Sequence, residues 1–119
     1  MDFTENRPIY LQIADHFCEK ILRKQWKQDD RIPSVRDIAV QLEVNPNTAM
    51  RAFVYLQEHD VIYNRRGIGF FVAEGAFEKV RELKRKEFLD NDVPVFFRTM
   101  NLLGFTCREL EEWNEKHYK

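Results

Sequence analysis

The chain has 119 residues, of which 44% are hydrophobic, a length and composition that suit one domain plus a small appendage. It contains no apolar run near the ~20 residues that a membrane span needs and no signal-peptide pattern, so the sequence predicts no membrane segment. Its isolated cysteines, Cys18 and Cys107, favour a reduced, cytoplasmic protein over a disulfide framework. The formal net charge of −1 excludes a uniformly basic protein of the kind that binds nucleic acid over its whole surface. Any binding to nucleic acid must therefore rely on local basic patches.

The first predicted helix runs from about Pro8 to Trp26. Apolar residues recur along it with near-helical spacing and form a broad face that should be buried. They are Ile9, Tyr10, Ile13, Ala14, Phe17, Ile21 and Leu22. A loop follows, and Arg31 with Ile32 is expected to add a short strand beside a later hairpin.

Two short helices separated only by Glu43 and Val44 are predicted next. Ser34 and Asp37 form an S-x-x-D capping pair, which indicates a helix start. Asn45 is a good N-cap for the second helix, and the proline that follows it suits the first helical position. The inward faces of the two helices are expected to consist of Val35, Ile38, Ala39 and Leu42, and of Ala49, Ala52, Phe53 and Leu56.

The second of these helices carries polar residues on its outward side. Asn47, Thr48 and Arg51 lie opposite the apolar stripe, and no acidic residue occurs between Asn45 and Gln57. Singly, these side chains fit an ordinary solvated helix face. Their joint position near the start of the second helix is typical of a recognition helix that enters the DNA major groove.

A hairpin is predicted after the second helix. Residues 61–63 and 69–72 read as strands, and residues 64–67 read as the turn. Arg65 and Arg66 fall at the tip, and Gly67 and Gly69 allow the backbone to approach a ligand closely. Such a wing would lie on a minor groove beside the major groove that the helix fills.

The remaining residues change in character and predict three short helices. The first is expected at about residues 76–89, with a break or cap at residues 90–92. A second ends at Gly104, and Thr106 with Glu109 forms a capping box for the third. Their apolar stripes are expected to form a homodimer interface, because so short a segment encloses no metabolite-sized cavity. The predicted interface residues are Phe77, Val80, Phe96, Phe97, Met100, Leu103, Leu110 and Trp113.

Three motifs between residues 8 and 74 resemble the DNA-binding domain of GntR-type transcriptional regulators, and the small YtrA branch in particular. They are Pro33-Ser34-Val35-Arg36, then Val44-Asn45-Pro46-Asn47-Thr48 with Arg51-Ala52-Phe53, and Gly67-Ile68-Gly69-Phe70-Phe71-Val72. The resemblance implies a mainly α fold with a small β-wing: a winged helix-turn-helix at residues 1–74 and a helical dimerisation region at residues 75–119. It also implies that DNA is contacted by Arg36, Asn45, Asn47, Thr48, Arg51 and the wing around Gly67 and Gly69. Ser34 at the first helix start and Arg65 and Arg66 at the wing tip complete the predicted DNA-binding residues.

Two positions depart from the family pattern. Met50 stands where many members carry arginine, so base preferences of other branches do not transfer. Glu43 stands at the inter-helix turn, where the family favours glycine. Because a positive φ would strain a non-glycine residue, the sequence favours a slightly different turn.

These patterns predict a bacterial transcriptional regulator, a repressor that binds a palindromic operator in double-stranded DNA as a homodimer. Neither an enzyme nor a cofactor or metal site is expected, because the three histidines are scattered and no catalytic motif occurs. Two alternatives stay open. The winged helix could serve as a protein-interaction module, or the helical tail could hold a small-molecule effector of unknown identity at the dimer seam.

Overall fold

The structure is a computed structural model that describes residues 6–118; residues 1–5 and 119, which the two predicted domains include, lie outside the described residues. The chain divides into two compact units between Glu82 and Leu83. The first contains α1 (Ile9–Leu22), α2 (Val35–Leu42), α3 (Pro46–Glu58), β1 (Ile62–Arg65) and β2 (Gly69–Val72). Helix α4 (Ala76–Glu87) spans the boundary, and the second unit continues with a π-helical turn (Phe88–Asp92), α5 (Val93–Leu103) and α6 (Cys107–Tyr118). The fold is mainly α with a two-stranded antiparallel sheet, as predicted. Across the described residues, no helix is both long and apolar enough to span a membrane.

The predicted starts of α2 and α3 are confirmed by their capping hydrogen bonds. The Ser34 hydroxyl accepts a hydrogen bond from the Asp37 amide at 3.0 Å, and the Asp37 carboxylate accepts one from the Ser34 amide at 3.3 Å. At α3, the Asn45 carboxamide oxygen accepts from the Asn47 amide at 2.8 Å, and Pro46 occupies the first turn. These bonds satisfy amide donors that the first turn of a helix leaves without intrahelical partners.

Helix α1 ends at Leu22, so the prediction that it continues to Trp26 is wrong. Lys24 adopts a left-handed conformation with φ +60°, which turns the chain out of the helix although no glycine marks the site. The turn brings the Trp26 ring back to 5.0 Å from the Phe17 ring, edge to face.

The turn between α2 and α3 also corrects the sequence prediction. Glu43 has φ +55° and ψ +48°, so it adopts the left-handed conformation that glycine favours instead of a different turn. The amides of Glu43 and Val44 donate to the carbonyl oxygens of Val40 and Ala39 at 3.3 and 3.0 Å, which closes the end of α2. Glu43 therefore adopts the turn geometry that glycine usually provides between these two helices, at a cost in backbone strain.

The core of the first unit joins α1, α3 and the hairpin through aromatic contacts. The Phe17 and Phe53 rings meet edge to face at 5.3 Å, and the Phe53 and Phe70 rings at 4.8 Å. Ala76 and Val80 of α4 complete this core. Val80 is fully buried there, which corrects the expectation that it lies on a dimer surface, and Phe77 is half-buried against the same core.

The hairpin forms the predicted wing, with one difference in its turn. Pairing runs from Ile62 opposite Val72 to Arg65 opposite Gly69, so the turn comprises residues 66–68 and not residues 64–67. The expected strand at Arg31 and Ile32 is a single bridge from Arg31 to Phe71. These contacts attach the wing to the loop that precedes α2.

In the second unit, the chain stays helical where a break was predicted. Residues 88–92 form a π-helical turn that connects α4 to α5, and Pro94 lies at the start of α5. Because Pro94 has no N–H to donate, one hydrogen bond of the helix is lost here, and a widened turn tolerates that loss. Gly104 ends α5 in the left-handed conformation, and Thr106 with Glu109 forms the predicted capping box of α6.

Candidate nucleic-acid interface

The exposed side of α3 is defined by the residues opposite its buried stripe. Ala49, Ala52, Phe53 and Leu56 hold the helix on the core. The exposed side chains, which together form the outer face of α3, are Asn47, Met50, Arg51, Val54 and Glu58. Thr48 lies at the edge of this face and is half-buried. The side chains predicted to read bases are therefore not turned into the core.

Arg51 is held in place by an aromatic ring from α1. Its guanidinium carbon lies 4.2 Å from the centre of the Tyr10 ring, and Tyr10 in turn contacts the Tyr55 ring edge to face at 6.4 Å. A cation above a ring face is attracted by the negative potential of that face. This contact restricts a long, exposed side chain and leaves its hydrogen-bond donors in the plane of the guanidinium available.

Three predicted contact residues belong to the helix starts. Ser34 and Asn45 are exposed, but their side-chain oxygens already accept capping hydrogen bonds. Their main contribution is therefore to fix the first turns of α2 and α3. Arg36 is exposed in the first turn of α2 and points its charge into solvent beside these caps.

The wing presents two arginines in different settings. Arg65 belongs to β1, and its guanidinium carbon lies 5.4 Å from the centre of the Phe71 ring. Arg66 and Gly67 form the exposed tip, where Gly67 has a positive φ of 78°. The predicted tip pair is therefore one strand residue and one turn residue.

Arg31 secures the other side of the wing turn. Its guanidinium donates a hydrogen bond to the Ile68 carbonyl oxygen at 2.7 Å. Gly69, at φ +148°, leaves room for this side chain, because a Cβ there would come within 3.2 Å of the Arg31 Nε. The glycine of the motif is thus required by backbone conformation and by a neighbouring side chain.

The base of the wing is attached through Tyr63. Its hydroxyl donates a hydrogen bond to the Asp29 carboxylate at 2.7 Å, and this bond raises the pKa of Tyr63 above its ordinary value. The Asp29 amide donates to the Val72 carbonyl oxygen at 2.8 Å. Tyr63 therefore stays protonated at neutral pH, and the bond persists there.

Five exposed arginines lie on α2, α3, the wing and the loop that precedes α2. Within residues 6–118, none of them forms a salt bridge. They are Arg31, Arg36, Arg51, Arg65 and Arg66. Unpaired guanidinium groups suit phosphate oxygens, which accept two parallel hydrogen bonds from one arginine.

Sequence reasoning missed two of the residues that shape this surface. Tyr10 was expected only on the buried face of α1, and Arg31 only in a short strand. Their roles depend on how α1 crosses α3 and on the register of the bridge to Phe71. An aromatic residue near the helix start is a weak signal for the first role, and the sequence carries none for the second.

The predicted interface residues of the second unit are mostly exposed. Phe96, Phe97, Leu103 and Trp113 are exposed, and Met100 and Leu110 are half-buried. Among the described residues from 83 to 118, none is buried. This unit therefore lacks an enclosed hydrophobic core of its own.

Comparison with known proteins matches the same region of the chain. Residues 9–72 match the GntR family of bacterial regulatory proteins. The chain is 42% identical over 113 residues to the HTH-type transcriptional regulator YhcF of Bacillus subtilis, covering 92% of this chain and 89% of that protein. It is 29% identical to the HTH-type transcriptional repressor YtrA of the same organism, covering 95% and 86% of the two chains. A GntR family transcriptional regulator from Listeria monocytogenes superposes with a TM-score of 0.78 at 31% identity, covering 96% of this chain and 98% of that one. With its capped α3, its wing and these similarities, the chain belongs to the GntR family of bacterial regulatory proteins, as a transcriptional regulator with a winged helix-turn-helix.

Proposed function

We propose that this regulator is a repressor that binds a palindromic DNA operator as a homodimer. The observation that carries the proposal is that the outer face of α3 and the wing both expose arginine side chains. Asn47 and Arg51 are exposed on α3, Arg65 and Arg66 are exposed on the wing, and none of these arginines has an acidic partner among the described residues. Such a surface attracts the phosphate backbone while it offers hydrogen-bond donors to bases.

In this proposal α3 enters the major groove. Arg51, Asn47 and Thr48 contact base edges, and the contact between Arg51 and the Tyr10 ring limits the directions in which the guanidinium can donate. Arg36 and the capped helix starts at Ser34 and Asn45 contact phosphates and set the register on the duplex.

The wing contacts the neighbouring minor groove. Arg66 and Gly67 lie at its tip, and Arg31 holds the turn through the Ile68 carbonyl oxygen. Gly67 and Gly69 have no Cβ atoms, so the backbone at these positions can approach the groove closely. An arginine in a minor groove responds to groove width more than to base identity, so this contact adds affinity and some preference for A·T-rich flanks.

A neighbour with DNA supports this arrangement. The AraR DNA-binding domain, whose structure is in complex with operator ORR3, superposes with a TM-score of 0.56 at 25% identity, covering 61% of this chain and 88% of that one. The share of this chain that matches is close to the length of the first unit. We infer that the first unit binds DNA and that the second unit has another role.

The second unit supports dimerisation through its exposed apolar side chains. Leu103 and Trp113 are 64% and 50% exposed, and no described residue of this unit is buried. Apolar side chains of this size contribute about 1.5–3 kcal/mol each when fully removed from water. A second copy of the same unit covers them symmetrically, as most homodimers do.

A dimer of this kind implies a two-fold symmetric operator. If each α3 enters one major groove on the same side of the duplex, the half-sites lie about 34–36 Å apart, one turn of DNA. Repression follows when the operator overlaps a promoter, and the relative YtrA is itself a repressor.

Selection of DNA by the purified chain tests the proposal. Duplexes enriched from a random library are compared with scrambled versions by fluorescence anisotropy between 50 and 200 mM salt. We expect the enriched duplex to bind about a thousandfold more tightly, with a steep log–log dependence on salt. An absence of enrichment, or binding that is insensitive to salt, would contradict DNA recognition and favour a protein-interaction module.

A further inference from the structure

We propose that Met50 and Val54 read thymine in the operator by packing against the C5 methyl group in the major groove. This inference rests on the proposed function, because it requires the outer face of α3 to face a duplex. It adds a specificity-determining pair to the polar residues already assigned there.

Both side chains are exposed and apolar. Met50 is 44% exposed and Val54 is 42% exposed, although the first unit has a well-formed core nearby. They lie four residues apart on α3, so they are neighbours on one side of the helix. Neither side chain belongs to the core cluster. Their apolar surface therefore needs another partner to leave water.

The residues around the pair identify that partner. Arg51 and Asn47 flank Met50 on the same face, where Arg51 has no acidic partner among the described residues. Glu58 lies one turn beyond Val54, at the end of α3 away from the capped start. An apolar pair beside such a cation and a carboxamide matches a surface that is itself part apolar and part anionic. The major groove offers that combination, because thymine places a methyl group among base-edge acceptors while the phosphates carry negative charge.

The small number of hydrogen-bonding side chains at the start of α3 also favours apolar contact with some of the bases. The Asn45 carboxamide oxygen is engaged at the cap, so Asn47, Thr48 and Arg51 are the polar side chains near the start of α3 that remain for base contact. Polar readout is therefore limited to a few donors and acceptors. Recognition of neighbouring bases has to come from shape and apolar contact, which Met50 suits because its side chain adapts to irregular surfaces.

The spacing of the pair predicts where the thymines lie. Four residues of α-helix advance about 6 Å along the axis. Successive base pairs are separated by about 3.4 Å along each strand. With α3 lying along the floor of the major groove, Met50 and Val54 reach methyl groups about two base pairs apart in each half-site, in a stretch that Asn47 and Arg51 also border.

The test removes only the methyl groups. In the tightest duplex selected from a random library, each thymine of a half-site is replaced singly by deoxyuridine, which keeps every hydrogen-bonding group. Anisotropy at fixed salt then gives the dissociation constants for the full-length chain. We expect the affinity to fall about fourfold at one or two positions per half-site, the effect of burying a single methyl group.

Substitutions on the protein assign the effect to the pair. In Met50→Ala and Val54→Ala the methyl dependence at the corresponding position should disappear, while thermal unfolding reports that the variants stay folded. Val40→Ala, an exposed apolar residue of α2, serves as the matched control and should keep the full methyl dependence. If no thymine shows a methyl dependence, or if the dependence survives in both variants, the inference is overturned while DNA binding itself stands. Failure to select any duplex would overturn both.

Discussion

Arg51 is the side chain on which the proposed contact with bases depends most. Its position above the Tyr10 ring links the start of α1 to the outer face of α3. A side chain that is already ordered gives up less conformational entropy when it binds, so we expect the ring to raise the affinity for DNA without itself touching the duplex.

Substitutions at both positions separate the two roles. Arg51→Ala should cost about 1–3 kcal/mol of specific binding if the guanidinium contacts a base. Tyr10→Leu should cost less, about 0.5–1 kcal/mol, because it removes the cation–π contact while the Arg51 guanidinium itself remains. Tyr10→Phe keeps the ring and should bind like the parent. Anisotropy with the selected duplex measures all three, and an effect below a few tenths of a kcal/mol for Arg51→Ala would remove this residue from the base-reading set.

Glu43 stores strain at the turn that sets the angle between α2 and α3. Its φ of +55° is costly for a residue with a Cβ atom. Glu43→Gly should therefore raise the free energy of unfolding by about 0.5–1 kcal/mol. Gln41→Gly, at an exposed position inside α2, should instead lower it by about 1 kcal/mol. Denaturant unfolding at one protein concentration compares the two, and equal effects would show that the turn is not strained.

The wing acts as one element because several contacts fix it at once. Arg31 holds its turn, Tyr63 and Asp29 hold its base, and Phe70 packs on Phe53 of α3. The tip can therefore keep a fixed position relative to α3. Rigid placement matters because phosphate contacts set register only when their spacing is constant.

Removal of charge from the wing should change the salt dependence more than the sequence preference. Arg66→Ala in each protomer should lower the slope of log affinity against log salt by about 0.9 for each phosphate that the protein no longer neutralises. Arg23→Ala provides the control, since Arg23 is exposed just after the end of α1 and is paired with Glu19. An unchanged slope for Arg66→Ala would mean that the tip does not contact the backbone.

The sequence alone was sufficient to predict the helix starts that are fixed by local capping hydrogen bonds. The caps at Ser34, Asn45 and Thr106 were predicted from side-chain chemistry, because each forms within a few residues of the chain. The early end of α1 at Leu22, before the left-handed Lys24, and the left-handed Glu43 were not, since no glycine marks either turn. Local propensity was overridden there by packing of the whole unit.

The sequence was likewise insufficient to predict what covers each apolar stripe. Val80 and Phe96 both follow helical spacing, yet Val80 is buried in the first unit and Phe96 is exposed in the second. Periodicity identifies a face that avoids water but not the surface that covers it. The contact between Arg51 and Tyr10 was missed for the same reason, because it joins residues 41 positions apart in the sequence.

The whole molecule is expected to function as two copies, each of which contributes one reading surface. The first unit carries the charged surface, and the second exposes aromatic and aliphatic side chains without burying any of its described residues. In the proposed dimer, two linked half-site contacts would bind far more tightly than either alone, which would compensate for the small net charge of the chain.

A charge introduced into the apolar surface should dissociate the dimer. Leu103→Glu should convert a species of twice the chain mass into a monomer, because a carboxylate cannot be buried there without a partner. Sedimentation measures the mass, and affinity for the full operator should fall by about a hundredfold or more. Val40→Glu, at a site on α2 that is 73% exposed, should remain dimeric. Persistence of the dimer in Leu103→Glu would locate the interface elsewhere.

Nuclear magnetic resonance of the chain with its selected duplex tests most directly whether α3 and the wing face DNA. We predict that the largest amide shift changes upon titration fall at Asn47, Thr48, Arg51 and Gly67, with small changes in the buried core around Phe53. Changes that leave these four amides unmoved and concentrate on another surface of the first unit would contradict the proposed reading surface.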